Sequence, residues 1–313
     1  DDYIPALAEV CRRERIDLVF PLVDPDIPRL AAGRAELEAA GARVVVLDRE
    51  RAEVTADKWR TLELFRSLDV PVPRSWLPGP TLEAEARLPL FVKPRRGSAG
   101  KDAFRADTPE QLAFFLGYVP DPMIQELLPG PELTIDVVCG LDGRVLGGVA
   151  RRRIEVRWGE VAKGVTVDAP EALEHAAAIA RALEARGPIT VQCMMKDGRP
   201  LFTEVNARFG GGAPLGIAAG VDGPAWLLAG AAGLPVDPPP FGAARHGLHL
   251  TRYDMAHYLT EPDLAEAVSQ CVEGLRGVGE GPAAGVAVPF AAGDLPDGLY
   301  GVGGVGEEDA KPA

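Results

Sequence analysis

The chain has 313 residues, 47% of them hydrophobic, and a mean hydropathy near zero, +0.02. This is typical of a soluble globular protein with two or three subdomains and a sizeable core. The net charge of −13 argues against nucleic acid or an anionic membrane as the main partner. No apolar run of about 18 residues and no signal peptide occurs, so the cytoplasm is the expected location. The scattered cysteines lack a CxxC pair, which favours buried free thiols.

The first 52 residues have the pattern of a small parallel α/β unit. Apolar residues at helical spacing predict a helix over 4–15, which leads into a short apolar strand over 16–22. A second helix over about 26–40 stops at Gly41, and 42–48 is another buried-type strand. A first strand would normally precede residue 1, so we expect this unit, 1–52, to be incomplete.

Two further subdomains and an extension are predicted to follow. The smaller one, 53–122, includes a glycine-rich loop over 95–102, and the larger one covers 123–258. The extension, 259–313, carries a possible helix at 261–274 but is otherwise rich in Gly, Ala and Pro and partly irregular. Other predicted elements are helices at 57–69, 109–117, 170–186 and 214–232, the last interrupted by Gly216 and Gly220. Strands are predicted at 90–94, 123–128, 132–139 and 145–150.

A hairpin near residue 200 carries the clearest chemical signal. Strands 189–195 and 200–205 are joined at Asp197-Gly198, a dipeptide that favours short turns. Glu204 and Asn206 leave the same face of the second strand, and Gln192 lies at about the opposing level. Three oxygen ligands without a thiol or imidazole are the set that Mg²⁺ prefers beside phosphate. Arg208 adds a cation that could meet a terminal phosphate.

Two upstream features are consistent with phosphate binding. Gly97-Ser98-Ala99-Gly100-Lys101 fails the spacing of a Walker phosphate loop, yet its backbone N–H groups could close over phosphates. Lys93 ends an apolar strand, where an unpaired ammonium is costly to bury, so an anionic partner is expected. Lys58, just inside a helix, is less informative on its own.

These residues together resemble the ATP-grasp superfamily, and most closely the branch similar to the carbamoyl-phosphate synthase large subunit. The resemblance covers about residues 1–250. It implies an ATP-grasp fold of class α/β, with α+β grasp subdomains and a partial Rossmann-like N-terminal unit. The motifs that carry it, in chain order, are Asp57-Lys58, Phe91-Val92-Lys93-Pro94, Gly97-Ser98-Ala99-Gly100, Gln125–Glu132 with Asp136, and Gln192 followed by Glu204–Gly212.

The resemblance implies a role for each matching position. Lys58 and Lys93 would flank the α- and β-phosphates of ATP, and the loop 95–102, with Gly97, Ser98 and Gly100, would be the lid. Gln125, Glu126, Leu127 and Leu128 would meet the adenine edge, and Glu132 the ribose. Gln192, Glu204 and Asn206 would hold two magnesium ions, which Mn²⁺ can replace. The catalytic residues would be Arg208, facing the γ-phosphate or an acyl phosphate, and Arg153 and Lys163. The segment Arg151–Arg153 and Lys163 would line the acceptor side and help to hold the phosphoryl group.

The implied reaction is ATP-dependent C–N ligation, in which a small carboxylate and an amine join through an acyl phosphate and ADP and phosphate leave. No nucleic-acid or membrane partner is implied, and a homodimer is compatible with the family. The chain has one grasp module and no glutaminase-like segment, so carbamoyl phosphate synthesis by this chain alone is not expected. The alternatives are a non-catalytic nucleotide-binding module and the synthetase component of a larger carbamoyl-phosphate-synthase-like assembly.

Simpler interpretations of several residues remain open. Glu204 and Asn206 alone could belong to a solvated strand face. Arg151–Arg157 could be a charged strand edge that discourages aggregation. Lys101 could be a solvated loop charge, and the four histidines show no ligand spacing shared with an acid.

Overall fold

The computed structural model describes residues 2–97, 100–157, 160–254 and 260. The chain divides into two units, 1–253 and 254–313, and every element named here lies in the first. The predicted helix at 261–274 and the extension 259–313 fall outside the described residues, apart from residue 260. The helices are α1 (Tyr3–Glu14), α2 (Asp26–Ala39), α3 (Arg49–Thr55), α4 (Lys58–Ser67), α5 (Pro80–Glu85), α6 (Pro109–Tyr118), α7 (Pro170–Ala182), α8 (Ala213–Ala218) and α9 (Gly223–Ala231). The strands are β1 (Leu18–Val19), β2 (Arg43–Val44), β3 (Ser75–Trp76), β4 (Leu90–Pro94), β5 (Phe104–Ala106), β6 (Pro122–Glu126), β7 (Glu132–Cys139), β8 (Val145–Arg157), β9 (Glu160–Val167), β10 (Gly187–Lys196), β11 (Arg199–Asn206) and β12 (His249–Thr251).

The N-terminal residues form the parallel unit that their pattern predicts. β1 and β2 pair in parallel, and α1 and α2 pack on each other beside them. The apolar face of α2 buries Ile27, Leu30 and Leu37. α3 follows β2 directly because the Asp48 side chain accepts a hydrogen bond from the Arg51 backbone N–H, which caps the helix.

A four-stranded antiparallel sheet forms the smaller subdomain, in the order β3-β6-β4-β5. Its core includes Trp76, Leu90, Val92 and Ile124, with side chains of α6 packed against it. β6 belongs to this sheet, so the predicted boundary at residues 122/123 is wrong and the smaller subdomain extends through β6. The boundary was misplaced because an apolar run does not show which sheet a strand joins.

A six-stranded antiparallel sheet dominates the larger subdomain, in the order β11-β10-β7-β8-β9-β12. α7 packs on one face, where Ile179, Ile135 and Phe202 join a core shared with the N-terminal helices. α9 contributes Leu227 to a second core with Val138 and Val149. β10 lies between β11 and β7, so the predicted hairpin is built into the sheet.

Three elements differ from the sequence-based expectation. β8 continues through Arg157 and pairs with β9, which was not predicted. Ile154 and Val156 alternate with charged residues near the end of β8, but both are exposed, so neither marks a buried strand face. α5 occupies part of the predicted loop 76–90. The predicted helix 214–232 is divided into α8 and α9 at Gly220, one of the two glycines expected to interrupt it, where φ is +103°. Among the described helices, none is both long and apolar enough to cross a bilayer.

Candidate active site

A cleft between the two larger sheets brings together most of the predicted site residues. This cleft, the nucleotide cleft, has a volume of about 310 Å³. It is lined by residues from β4, β6, β7 and β8, the hairpin β10–β11, the start of α4 and the loop after β4. The predicted residues in its lining are Lys58, Lys93, Gly97, Gly100, Gln125, Glu126, Leu127, Leu128, Glu132, Arg153, Gln192 and Glu204. Ser98, the remaining predicted lid residue, lies outside the described residues.

Lys93 is the buried cation of this cleft, as its apolar strand predicts. Only 7% of its surface is exposed. Burial lowers the pKa of Lys93 to about 8, an effect that the attraction of Glu204 opposes and the nearby charge of Lys58 reinforces. An anion in the cleft would favour the charged ammonium, so this position suits phosphate oxygens.

Lys58 and the base of the loop 95–102 are held together at the start of α4. Asp57 caps α4 by accepting hydrogen bonds from the backbone N–H groups of Trp59 and Arg60, and it also pairs with Arg95 at 2.7 Å. Burial alone would raise the pKa of Asp57, but the Arg95 hydrogen bond and the helix N–H groups outweigh it and hold that pKa low. Lys58 Nζ donates to the Gly97 carbonyl at 2.5 Å. The first residues of the predicted lid are therefore held against the start of α4 by these contacts.

Glu126 and the backbone after it connect the two sheets along the cleft. The Glu126 carboxylate accepts hydrogen bonds from Lys196 Nζ on β10, at 2.6 Å, and from the Arg74 backbone N–H. Gln125 is buried, and its Nε2 has no hydrogen-bond partner among the residues that the structure describes. Residues 125–128 thus line the cleft where the Glu126–Lys196 ion pair joins the four-stranded sheet to the six-stranded sheet.

Glu132, the predicted ribose ligand, forms hydrogen bonds with a predicted catalytic residue and with a predicted metal ligand. Its Oε1 accepts a hydrogen bond from Arg153 Nη1 at 2.8 Å and another from Gln192 Nε2. Gln192 pairs directly with Glu204 across the hairpin, as predicted, and the ladder shifts register just after Gln192. Three residues that were assigned separate roles therefore form one hydrogen-bonded group.

The donors predicted to hold metal lie together at the hairpin. Asn206 Nδ2 is 3.4 Å from Glu204 Oε1, so one carboxylate and two amide side chains share this region. Both amide nitrogens point to carboxylates in the assigned orientations, which leaves the amide oxygens available as ligands. Oxygen donors of this kind fit Mg²⁺. In the described part of the chain, no group of three or more His, Cys, Asp or Glu side chains offers another metal site.

A second cavity of about 830 Å³, the acceptor cavity, adjoins the nucleotide cleft. The two share Gly100, Arg153, Gln192 and Glu204 in their linings. Asn206 and Arg208 line the acceptor cavity together with residues 22–25 and the turn 210–212. The predicted metal ligands thus lie where the two spaces meet.

Arg208 is held by a residue that the sequence did not single out. Its Nε and Nη2 donate to the two carboxylate oxygens of Asp24, each at 2.8 Å. Asp24 lies in the segment after β1, and acidic residues that follow parallel strands often line a ligand site. That position was the only available signal, because Asp24 and Arg208 are 184 residues apart.

Two residues of the predicted acceptor side occupy different surroundings. Arg151 is buried and forms two hydrogen bonds to Asp136, at 2.6 and 2.8 Å. The turn after β11 packs on its guanidinium so closely that a Cβ at Gly212 would be 1.9 Å from Nη1. Lys163 lies on β9, pairs with Glu155 at 2.8 Å and is not part of the lining of either cavity. The catalytic role of Lys163 therefore stays a prediction without a geometric contact to the cleft.

Comparison with known proteins identifies similar sequences. Residues 118–254 match the family model described as "ATP-grasp in the biosynthetic pathway with Ter operon". A carbamoyl-phosphate synthase of Methanobrevibacter smithii is 26% identical over 136 residues, which are 42% of this chain and 37% of that protein. A phosphoribosylamine–glycine ligase of Synechocystis is 25% identical over 174 residues, 52% of this chain and 41% of that protein. The matched regions thus span about two fifths of these relatives.

Solved structures show the same fold. The biotin carboxylase domain of a Hydrogenobacter thermophilus 2-oxoglutarate carboxylase, solved with MgADP, ADP and bicarbonate, superposes with a TM-score of 0.66 at 17% identity. The match covers 79% of this chain and 60% of that one. An L-amino acid ligase from Bacillus licheniformis gives a TM-score of 0.57 at 21% identity, over 73% of this chain and 59% of that one. The chain therefore has the ATP-grasp fold, and its residues 118–254 match an ATP-grasp family model.

Proposed function

We propose that the chain is an ATP- and magnesium-dependent ligase that joins a small carboxylate to an amine through an acyl phosphate. The observation that carries this proposal is the position of Glu204, Gln192 and Arg153 at the junction of the two cavities. A nucleotide in one space and a carboxylate in the other would bring their reacting ends together there. The named activities of the relatives, which are ligases and a synthase, support the same reaction class.

The nucleotide cleft would bind ATP through cations and hydrogen-bonding groups from four elements. Lys58 and Lys93 would contact phosphate oxygens, and residues 125–128 would meet the base. Glu132 would accept hydrogen bonds from the ribose hydroxyls. The glycines at 97 and 100 would let the loop between them approach the phosphates closely.

Gln192, Glu204 and Asn206 would hold the metal. Bound Mg²⁺ would neutralise charge on the transferred phosphoryl group and orient it. The protein's own part is to fix these ligands on a paired hairpin and to set Arg153 and Arg208 beside them. Positive groups placed before the reaction lower the barrier because they need little reorganisation as charge shifts.

The reaction would proceed in two displacements. A carboxylate oxygen attacks the γ-phosphorus of ATP, the bond to the β–γ bridging oxygen breaks, and ADP leaves. An amine nitrogen then attacks the carbonyl carbon of the acyl phosphate, loses a proton and expels inorganic phosphate. Arg153 and Arg208 would balance the charge of the phosphoryl group during both steps.

The test is a pair of substitutions on β11. ADP release with pooled small carboxylates and amines would be measured for the wild type and for the double variant Glu204→Ala, Asn206→Ala. We expect turnover to fall at least about 100-fold while the unfolding midpoint stays close to that of the wild type. Arg199→Ala, an exposed position on the same strand, is the matched control. Undiminished ATP hydrolysis in the double variant would contradict the metal assignment, and nucleotide binding without ADP release for any pool would favour a non-catalytic module.

A further inference from the structure

The mouth of the acceptor cavity is lined by large apolar side chains that water reaches. Leu22, Val23 and Val156 all line this cavity, and they are 66%, 53% and 46% exposed. Val156 pairs across the ladder with Val161, which lines the cavity as well. Apolar surface left in water is unfavourable by about 25 cal/mol per Å². A ligand that covers these side chains would remove that cost.

The charged groups of the same cavity are arranged differently. Arg208 is paired with Asp24 and Arg151 with Asp136, so each guanidinium already faces a carboxylate. Glu204 and Arg153 lie at the end shared with the nucleotide cleft. Outside that shared end, the lining carries these internally paired ions together with the exposed apolar side chains of Leu22, Val23 and Val156. A substrate with its carboxylate at the shared end and an apolar body would cover these side chains without having to neutralise a charge there.

We propose that the carboxylate substrate carries an apolar side chain, branched aliphatic or aromatic, which packs against Leu22, Val23 and Val156. This inference rests on the proposed ligase function and specifies the substrate class of the same site. The carboxylate would lie at the junction of the two cavities, and its side chain would extend toward the segment after β1. Leu22, Val23 and Val156 are then specificity-determining residues.

The experiment separates the carboxylate from the unidentified amine by using hydroxylamine as the nucleophile. The nitrogen of hydroxylamine attacks the carbonyl carbon of the acyl phosphate, and phosphate and a proton leave. The product is a hydroxamate, which forms a coloured complex with ferric chloride. The carboxylate panel is acetate, glycine, aspartate, arginine, isovalerate, leucine, phenylacetate and phenylalanine, each with ATP and Mg²⁺. We expect hydroxamate and ADP in equal amounts, with the highest kcat/KM for the branched and aromatic acids.

Variants connect this preference to the cavity. Leu22→Asn and Val156→Asn place a polar group where the side chain would pack, and both positions are exposed enough for the fold to tolerate the change. We expect each to lower kcat/KM for the preferred acids at least about 10-fold and to lower kcat/KM for the smallest reactive acid much less. Leu228→Asn, 58% exposed and outside both cavities, is the matched control.

Each result has a defined meaning. The highest kcat/KM with acetate, glycine or the charged acids would contradict the proposal that the substrate has an apolar side chain. The proposed ligase function would remain supported. Equal losses for all acids in Leu22→Asn, or losses of the same size in Leu228→Asn, would also contradict the proposal of an apolar side chain. ADP and hydroxamate missing for every acid would instead contradict the proposed function itself.

Discussion

Lys93 shows most directly how a single residue links stability to function. Its ammonium is buried, and burial lowers its pKa to about 8. A lysine in the unfolded chain titrates near 10.4. The unfolded state therefore holds the proton more tightly, so the native state is disfavoured below pH 8 and this disadvantage fades as the pH rises toward 10.4.

We expect Lys93→Met to raise the free energy of unfolding at pH 7 by up to about 3 kcal/mol when no nucleotide is present. The gain should shrink by pH 10, because the native-state lysine is then neutral and the pH is close to the value near 10.4 at which the unfolded lysine titrates. Urea unfolding at pH 7 and pH 10 measures the change in the free energy of unfolding. The control is Lys101→Met, at an exposed lysine that lines the same cleft, which should change this free energy little at either pH. A gain that did not depend on pH would contradict the account. The same variant should bind ATP more weakly.

Single residues differed in how far their surroundings could be predicted. The burial of Lys93 follows from the apolar strand that it ends, and that expectation is met. Arg151 belonged to a run of basic residues for which a charged strand edge and an acceptor-side role both stayed open. The structure instead buries it against Asp136, since two strands that are neighbours in the sheet place the pair side by side. A lone sequence contains no signal for that pairing.

The hairpin β10–β11 is the element whose structure was most fully predicted. Asp197 and Gly198 have φ values of 51° and 80°, the left-handed pair that a two-residue type I′ turn requires. Gln192 lies at the level of Glu204, as expected, but a regular ladder counted from this turn would pair it with Thr203. The register shift between Gln192 and Cys193, which the sequence did not predict, places it opposite Glu204. β9 was missed although Val161, Ala162, Val165 and Thr166 are buried, because these positions do not alternate regularly with exposed ones. The period of two by which a half-buried strand is recognised is therefore missing from β9.

Two glycine substitutions should have opposite effects. Gly198→Ala places a Cβ on left-handed backbone, so we expect a loss of about 1–2 kcal/mol in the free energy of unfolding. Gly117 lies in α6 with open space around it and without a positive φ, so Gly117→Ala should add about 0.5–1 kcal/mol through helix propensity. Thermal or urea unfolding of both variants measures the two effects. A change of the same sign in both would contradict the backbone explanation.

The molecule as a whole is held together across the site by contacts between distant segments. The N-terminal helices and the six-stranded sheet share one core, and Asp24 joins Arg208 beside the acceptor cavity. The sequence predicted the parallel unit and the metal hairpin separately. Their contact could not be predicted, because it depends on how two subdomains pack rather than on either pattern alone.

A double-mutant cycle tests the contact between the subdomains. We expect Asp24→Ala and Arg208→Ala each to lower the free energy of unfolding, and the double variant to lower it by less than their sum. The two side chains are about one fifth exposed, 21% and 18%, and form two parallel hydrogen bonds, so a coupling of about 1–3 kcal/mol is expected. Urea unfolding of the four proteins measures it. Strictly additive losses would show that the pair does not hold the subdomains together.

The shared hydrogen bonds of Glu132 have a further consequence. One carboxylate oxygen accepts from Arg153, which faces both cavities, and from Gln192, a proposed metal ligand. A nucleotide whose ribose engaged Glu132 would redistribute these bonds and alter the electrostatic field at the carboxylate end of the acceptor cavity. Thermodynamic linkage makes such an influence mutual, so occupancy of the acceptor cavity must change nucleotide affinity by the same factor. The affinities for the two substrates would then be coupled through a single glutamate.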